Sequence, residues 1–321
     1  MNKSGNTTAQ WNTDKNEGLL KAKIACLTVL GLWAIIGNTI SLVIFLQTKN
    51  LRRRRSNYLL VNLCIADFLV GLNCLFNVMI YMGELLSSRI FNVFLNYIFA
   101  YFSSFSSVNF LAAVSVERLV AVAFPFYYRA TGKTFYGVLI GTPWVIAVIF
   151  TVTISVSVFT PLIPWKIYRT LYVIIVLLPL SIISAAYTVI IMRSRASHIN
   201  GHGARERLRN KQLAVTLLIV TLASLVTWMP NSCYWVILSF DFLFYNYYVE
   251  MTLLYLQFSN SCINIVVYAW RIPQFKQLLF RHKPVVANVQ GRAGEWNAGR
   301  RQGALVEPIE MQHILRGEPG P

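Results

Sequence analysis

The sequence predicts an all-α membrane protein: a seven-transmembrane-helix bundle followed by a short amphipathic helix. Three observations predict it. Of 321 residues, 56% are hydrophobic and 13% charged, whereas soluble domains average about 25% charged. Seven weakly charged or uncharged runs recur along the chain. At about 1.5 Å of rise per residue, each is long enough to cross a hydrocarbon core about 30 Å thick. The basic residues gather in alternate connections between those runs. A net charge of +17 therefore does not imply nucleic-acid binding, which needs a continuous basic face.

Residues 1–22 are polar and read as an extracellular N-terminal segment. No basic start leads into a short apolar core and small-residue cleavage site, so no cleavable signal peptide is expected. Asn2-Lys3-Ser4 and Asn6-Thr7-Thr8 fit the N-glycosylation pattern, at Asn2 and Asn6, and gain weight only if this end is outside.

The membrane domain is placed at 23–270, with spans near 24–47, 57–82, 91–122, 134–158, 170–192, 212–239 and 247–270. Such runs are too long and too continuously apolar for barrel strands, and only helices or closed barrels satisfy the backbone in lipid. No Asp, Glu, Lys, Arg or His falls between Ile90 and Val116. Glu117 and Arg118 then arrive together, where the third helix leaves the hydrocarbon. That pair reads either as an interfacial anchor with a snorkelling arginine, or as a latch released when a partner claims the guanidinium.

With the N-terminus outside, the inner segments hold 22 of the 29 Lys and Arg and the outer ones 7. This asymmetry puts the C-terminus in the cytoplasm. Residues 271–283, RIPQFKQLLFRHK, space Ile272, Phe275, Leu278 and Leu279 along one helical face with bases opposite. They read as a helix lying on the inner membrane surface. Residues 284–321 are rich in Gly, Pro and polar side chains and are expected to be disordered. They contain no Ser, Thr or Cys.

Cys26, Cys64, Cys74, Cys233 and Cys262 all lie in or at the edge of apolar runs. Without metal-ligand spacing they read as small packing residues. The four histidines fall in the inner segments with no third ligand nearby. Asp67 is different. It sits mid-span, where a charge costs about 3 kcal/mol, so it should face the interior with a partner or a function. Asn38, Ser103, Ser107, Asn260 and Asn264 lie at similar depth in other spans.

Taken in order, these features resemble the rhodopsin-like (class A) G-protein-coupled receptors across all seven spans. Span one carries Gly37-Asn38. Span two carries NLCIADFLVG around Asp67. Span three carries Glu117-Arg118, with Pro125 seven residues after the arginine. Trp144 follows in span four, then Pro179 with Tyr187 eight residues on. Trp228-Met229-Pro230 lies in span six and Asn264-Ile-Val-Val-Tyr268 in span seven.

The resemblance implies a G-protein switch of Glu117, Arg118, Tyr187 and Tyr268. It implies transmission through Trp228, Pro230 and Pro179, and a mid-bundle sodium ion at Asp67, with Ser107, Asn260 and Asn264 as oxygen ligands and Asn38 in the same polar core. Four departures stand out. Thr227 replaces the cysteine before Trp228. Leu119 replaces the aromatic after the Glu-Arg pair. Ile265 replaces the proline that would kink helix seven. Val93 stands where a bridged cysteine is usual, and the 160–166 loop has no cysteine to pair with. The second acid that often completes the latch, at the foot of helix six, is matched by Asn210 beside Lys211, with Glu206 a turn earlier. High resting activity is therefore expected.

The resemblance also limits the ligand. Ala100 occupies the position of the aspartate that binds amines, and Phe258 that of the lysine that binds retinal. Asn77, Tyr97, Tyr101, Asn231, Trp235, Glu250 and Gln257 outline an aromatic, amide-lined pocket for a small molecule or short peptide. The implied partners are a heterotrimeric G protein, an extracellular ligand and membrane lipid, at the plasma membrane. A tail without Ser or Thr offers arrestin no phosphorylated site, which leaves Ser194 and Ser197 as candidates. No catalytic constellation or phosphate loop points to an enzyme. Two other classes remain open on sequence: a channel or transporter lined by Asp67, and a receptor-like protein with weakened signalling.

Overall fold

The computed structural model describes residues 4–53, 55–83, 89–159, 165–199, 204–240, 245–271 and 273–280. Seven long helices dominate: α1 (Ser4–Gln47), α3 (Asn57–Tyr81), α4 (Arg89–Ala123), α6 (Lys133–Phe159), α7 (Trp165–Ile199), α8 (Ala204–Ser239) and α9 (Tyr247–Arg271). Three short ones join them: α2 (Lys49–Arg52), α5 (Pro125–Ala130) and α10 (Pro273–Leu279). Among the described residues five spans, from Glu17–Gln47 to Thr170–Arg193, are long and apolar enough to cross a membrane. The helix α1 begins well before the apolar run that the sequence places at 24.

Residues 1–279 form one unit, and Phe280 is the described residue of the second. Within the first unit α1 packs on α3. The long helix α4 packs against α3, α6 and α7, and the ring closes through α7, α8 and α9 back to α1.

Burial is inverted relative to a soluble protein. Asn38, Asp67, Ser103, Ser107, Asn260 and Asn264 are inside, while Val145, Val148, Ile149, Val152 and Val156 of α6 are exposed along one helical face. The core still holds a large apolar cluster around Phe105, Phe110, Leu180 and Trp228, but an apolar exterior around an interior with this many polar groups suits hydrocarbon, where interior amides and hydroxyls act as glue between helices.

Close packing depends on small residues. A Cβ on Gly71 would lie 2.8 Å from Ile35 and 2.9 Å from the Gly31 carbonyl oxygen, so α1 and α3 meet nearly backbone to backbone. Gly83, at φ 74°, follows the end of α3 in the left-handed conformation that favours glycine. Gly37 leaves room for the residue that replaces the helix-seven proline: its Cβ would lie 3.1 Å from Ile265 Cγ2. Helix α9 runs unbroken through that position. Pro143, Pro179 and Pro230 lie inside α6, α7 and α8. The amphipathic α10 buries Phe275 against Phe45 and Tyr268, at ring centroid separations of 5.7 and 5.9 Å.

Candidate functional site

Asp67, fully buried on α3, is the hub of the polar centre. Its Oδ1 accepts hydrogen bonds from Ser107 of α4 at 2.6 Å and Ser261 of α9 at 2.8 Å, and its Oδ2 accepts one from Asn264 Nδ2 at 2.5 Å. One carboxylate thus ties three helices together, and charge-assisted bonds of this kind are the strong ones. Asn38 Nδ2 of α1 donates to the Ser261 carbonyl at 3.0 Å, which adds a fourth helix.

Of the sequence-predicted set, Ser107 and Asn264 reach Asp67. Asn260 turns away, with its Oδ1 accepting from Thr227 Oγ1 of α8 at 3.3 Å. Ser261 was not singled out from sequence. Its signal is spacing: it lies three residues before Asn264, on the same face of α9. Asn260 Nδ2, Asn38 Oδ1 and Trp228 Nε1 are buried with no hydrogen-bond partner among the described residues.

Toward the C-terminal end of α4, Glu117 is 1% exposed and Arg118 27%, with Arg118 Nε 3.2 Å from Glu117 Oε2. The other oxygen is clamped from α5 and α6. Tyr128 Oη donates to Glu117 Oε1 at 2.5 Å, Tyr136 Oη lies 3.3 Å from the same atom, and the two hydroxyls are 3.1 Å apart. Burial, and then the bond to Glu117, push the Tyr128 hydroxyl well above its ordinary pKa, so it stays a donor. Neither tyrosine was named from sequence, because nothing in the spacing of 117, 128 and 136 shows that α5 folds back beneath α4.

Tyr187 accepts a hydrogen bond from Ser115 Oγ at 3.1 Å, and Tyr268 packs edge-on to Phe45 at 5.4 Å. Both side chains are buried. The side chains of Glu206, Asn210 and Lys211 lie outside the described residues, as do those of Val93, Asn2, Asn6, Ser194 and Ser197.

The end of the bundle opposite the Glu117–Arg118 pair holds a cavity of about 760 Å³. Asn77, Tyr97, Tyr101, Asn231, Trp235 and Glu250 line it, with Ala100 and Phe258. Gln257 is reached through Asn231, whose Nδ2 donates to Gln257 Oε1 at 2.6 Å and lies 3.3 Å from Tyr172 Oη. Tyr245 donates to Glu250, so the acid at the rim is oriented. Three amide atoms on the wall residues have no hydrogen-bond partner among the described residues: Asn73 Nδ2, Asn96 Oδ1 and Asn231 Oδ1. Sequence reasoning passed over Tyr172, Tyr247 and Tyr255 on the cavity wall because membrane-facing aromatics look the same in a sequence.

Residues 37–268 match the family described as 7 transmembrane receptor (rhodopsin family). Among curated proteins, the human substance-K receptor is 27% identical, over 80% of this chain and 72% of its own. The human substance-P receptor is 26% identical over 80% and 69%. A Gq-coupled rhodopsin from Mizuhopecten yessoensis is 26% identical over 80% and 58%.

Proposed function

The chain belongs to the rhodopsin family of seven-transmembrane receptors, and we propose that it binds an extracellular ligand in the outer cavity and answers by activating a heterotrimeric G protein at its inner face. This is a multi-pass plasma-membrane receptor, with the N-terminus outside and the C-terminus inside by the basic asymmetry. The observation that carries the reading is a column of buried polar groups running down the bundle. It is made of successive bonded groups: Asn231 with Gln257, Thr227 with Asn260, Asp67 with Ser107, Ser115 with Tyr187, and Glu117 with the partly exposed Arg118. Polar side chains at membrane depth are costly and mark function.

The ligand offers both hydrogen-bond donors and acceptors to amide side chains, as a short peptide does. Among the described residues two unpaired amide oxygens, one unpaired amide nitrogen and the unpaired Tyr255 hydroxyl stand around the cavity, and buried polar atoms of this kind need partners. Likeness to receptors for substance K and substance P supports this reading. Ala100 and Phe258 on the cavity wall argue against an amine salt bridge and a retinal Schiff base.

The polar centre fits a sodium ion. The Asp67 carboxylate and the Ser107 and Ser261 hydroxyls supply hard oxygens in one buried place, and Asn38, bonded to the Ser261 carbonyl, has an unpartnered Oδ1 among the described residues. Asp67, Ser107 and Ser261 would hold the ion, which neutralises the carboxylate. Asn264 orients that carboxylate from the other side. The ion would favour the resting arrangement in which α3, α4 and α9 converge.

The test is G-protein recruitment in cells expressing the chain, exposed to substance K, substance P and a library of short peptides. A response lost on Arg118→Ala and weakened on Asn231→Ala supports the reading. A ligand-evoked ion current without nucleotide exchange would replace it with a channel.

A further inference from the structure

A second cavity, of about 370 Å³, opens between the first and second inner connections. Its wall is made by Arg55, Ser56, Tyr128, Arg129, Thr131 and Tyr136. Two guanidiniums, four aliphatic or phenolic hydroxyls near them and no carboxylate on the lining make it an anion site in chemistry. The Tyr128, Tyr136 and Thr131 hydroxyls already donate to Glu117 and to the Tyr128 carbonyl, so the donors offered to a ligand are the two guanidiniums and the Ser56 hydroxyl, and the arginine fork is the preferred partner of a phosphate.

Arg55 is fixed in place, because its Nη1 donates to the Thr131 carbonyl at 2.7 Å. That bond uses one of five guanidinium N–H groups. Tyr128 and Tyr136 are in turn held by Glu117, so the cavity wall is continuous with the clamp on the latch.

Two further observations say what fills it. Arg55 ends an uninterrupted run of four arginines, residues 52–55, directly before α3. Basic clusters immediately cytoplasmic of a membrane helix attract anionic lipid. On the other wall, α5 carries Phe126 and Tyr127 at 84% and 63% exposure, next to Arg129. Exposed aromatics beside a basic residue mark the headgroup level of a bilayer.

We propose that this cavity binds the phosphorylated headgroup of an inner-leaflet phosphoinositide, with Arg55 and Arg129 as its cationic contacts. The phosphate chemistry is shared by a lipid headgroup and a free inositol phosphate. The aromatic flank and the arginine run favour the lipid. This rests on the orientation that puts these connections inside, but not on G-protein coupling.

The test is native mass spectrometry of the purified full chain in detergent with phosphatidylinositol 4,5-bisphosphate, phosphatidylserine or phosphatidylcholine added, and separately with soluble inositol 1,4,5-trisphosphate. Both faces are reachable in a micelle and no G protein is present, so failure here is distinct from failure of orientation or signalling. The bisphosphate lipid should bind best, and Arg55→Gln/Arg129→Gln should weaken it at least about tenfold. Arg52→Gln/Arg53→Gln, which removes equal charge outside the cavity, should weaken it about threefold or less. Arg129→Gln alone alters an exposed side chain and keeps the test open if loss of the Arg55 bond to Thr131 prevents folding. Equal weakening by both double variants would overturn the proposal in favour of a diffuse basic surface. Tighter binding of the soluble phosphate than of the lipid would overturn the lipid assignment.

Discussion

Removing the hydroxyl of Tyr128 tests whether the clamp on Glu117 holds the receptor at rest. Tyr128→Phe deletes the 2.5 Å bond to Glu117 Oε1 and leaves Tyr136 Oη at 3.3 Å and Arg118 Nε at 3.2 Å. A hydrogen bond to a charged group contributes about 1.5–3 kcal/mol. Tyr128 is half-buried and Tyr136 can close part of the gap, so the lower end applies, about 1.5 kcal/mol. If the bond exists only in the resting state, that energy moves the resting-to-active ratio about tenfold. The assay is ligand-free nucleotide exchange on purified G proteins with receptor in nanodiscs. Tyr128→Phe should raise the basal rate about tenfold, and the Tyr128→Phe/Tyr136→Phe pair should raise it further but less than additively, since both hydroxyls serve one oxygen.

The pH dependence follows from the raised pKa of Tyr128. A neutral hydroxyl favoured in the folded state contributes fully below its ordinary value of about 10, and that contribution is lost only as pH rises through the higher folded value. The ratio of variant to parent rates should therefore be flat from about pH 6 to 9. A folded variant whose basal rate stays within about twofold of the parent would refute a clamp specific to the resting state.

Other outcomes follow from the packing and the polar centre. Gly71→Ala should lower the thermal stability of the purified receptor by about 1–3 kcal/mol, because its Cβ meets Ile35, Ala34 and the Gly31 carbonyl within 3.0 Å. Gly18→Ala, with nothing within 4 Å, should leave stability unchanged or raise it by up to about 1 kcal/mol in the same assay. Replacing N-methylglucamine with sodium at ten times its dissociation constant should stabilise the parent by about 1.4 kcal/mol. Asp67→Asn and Ser261→Ala should blunt that gain, and equal gains in all three proteins would remove sodium from the polar centre. Asn96→Ala and Asn231→Ala should each weaken a peptide agonist in G-protein recruitment, by about tenfold for a lost buried bond.

The sequence by itself determined the fold class. Hydrophobic run length and the placing of Lys and Arg are one-dimensional properties, set by bilayer thickness and by which loops cross it. It also marked Asp67, Glu117 and Arg118, since a charge at or near membrane depth is conspicuous without coordinates.

Which side chains meet is a property of the folded bundle. Ser261 looks like any helical serine until α9 is turned toward α3. Tyr128 and Tyr136 look like interfacial aromatics until α5 brings one of them under Glu117. Ile265 looks like a lost kink until Gly37 is seen to leave space for it. Apolar run length fixes where a helix starts and stops, but its rotation is chosen by close packing against neighbours far away in the chain, and a list of residues does not contain that angle.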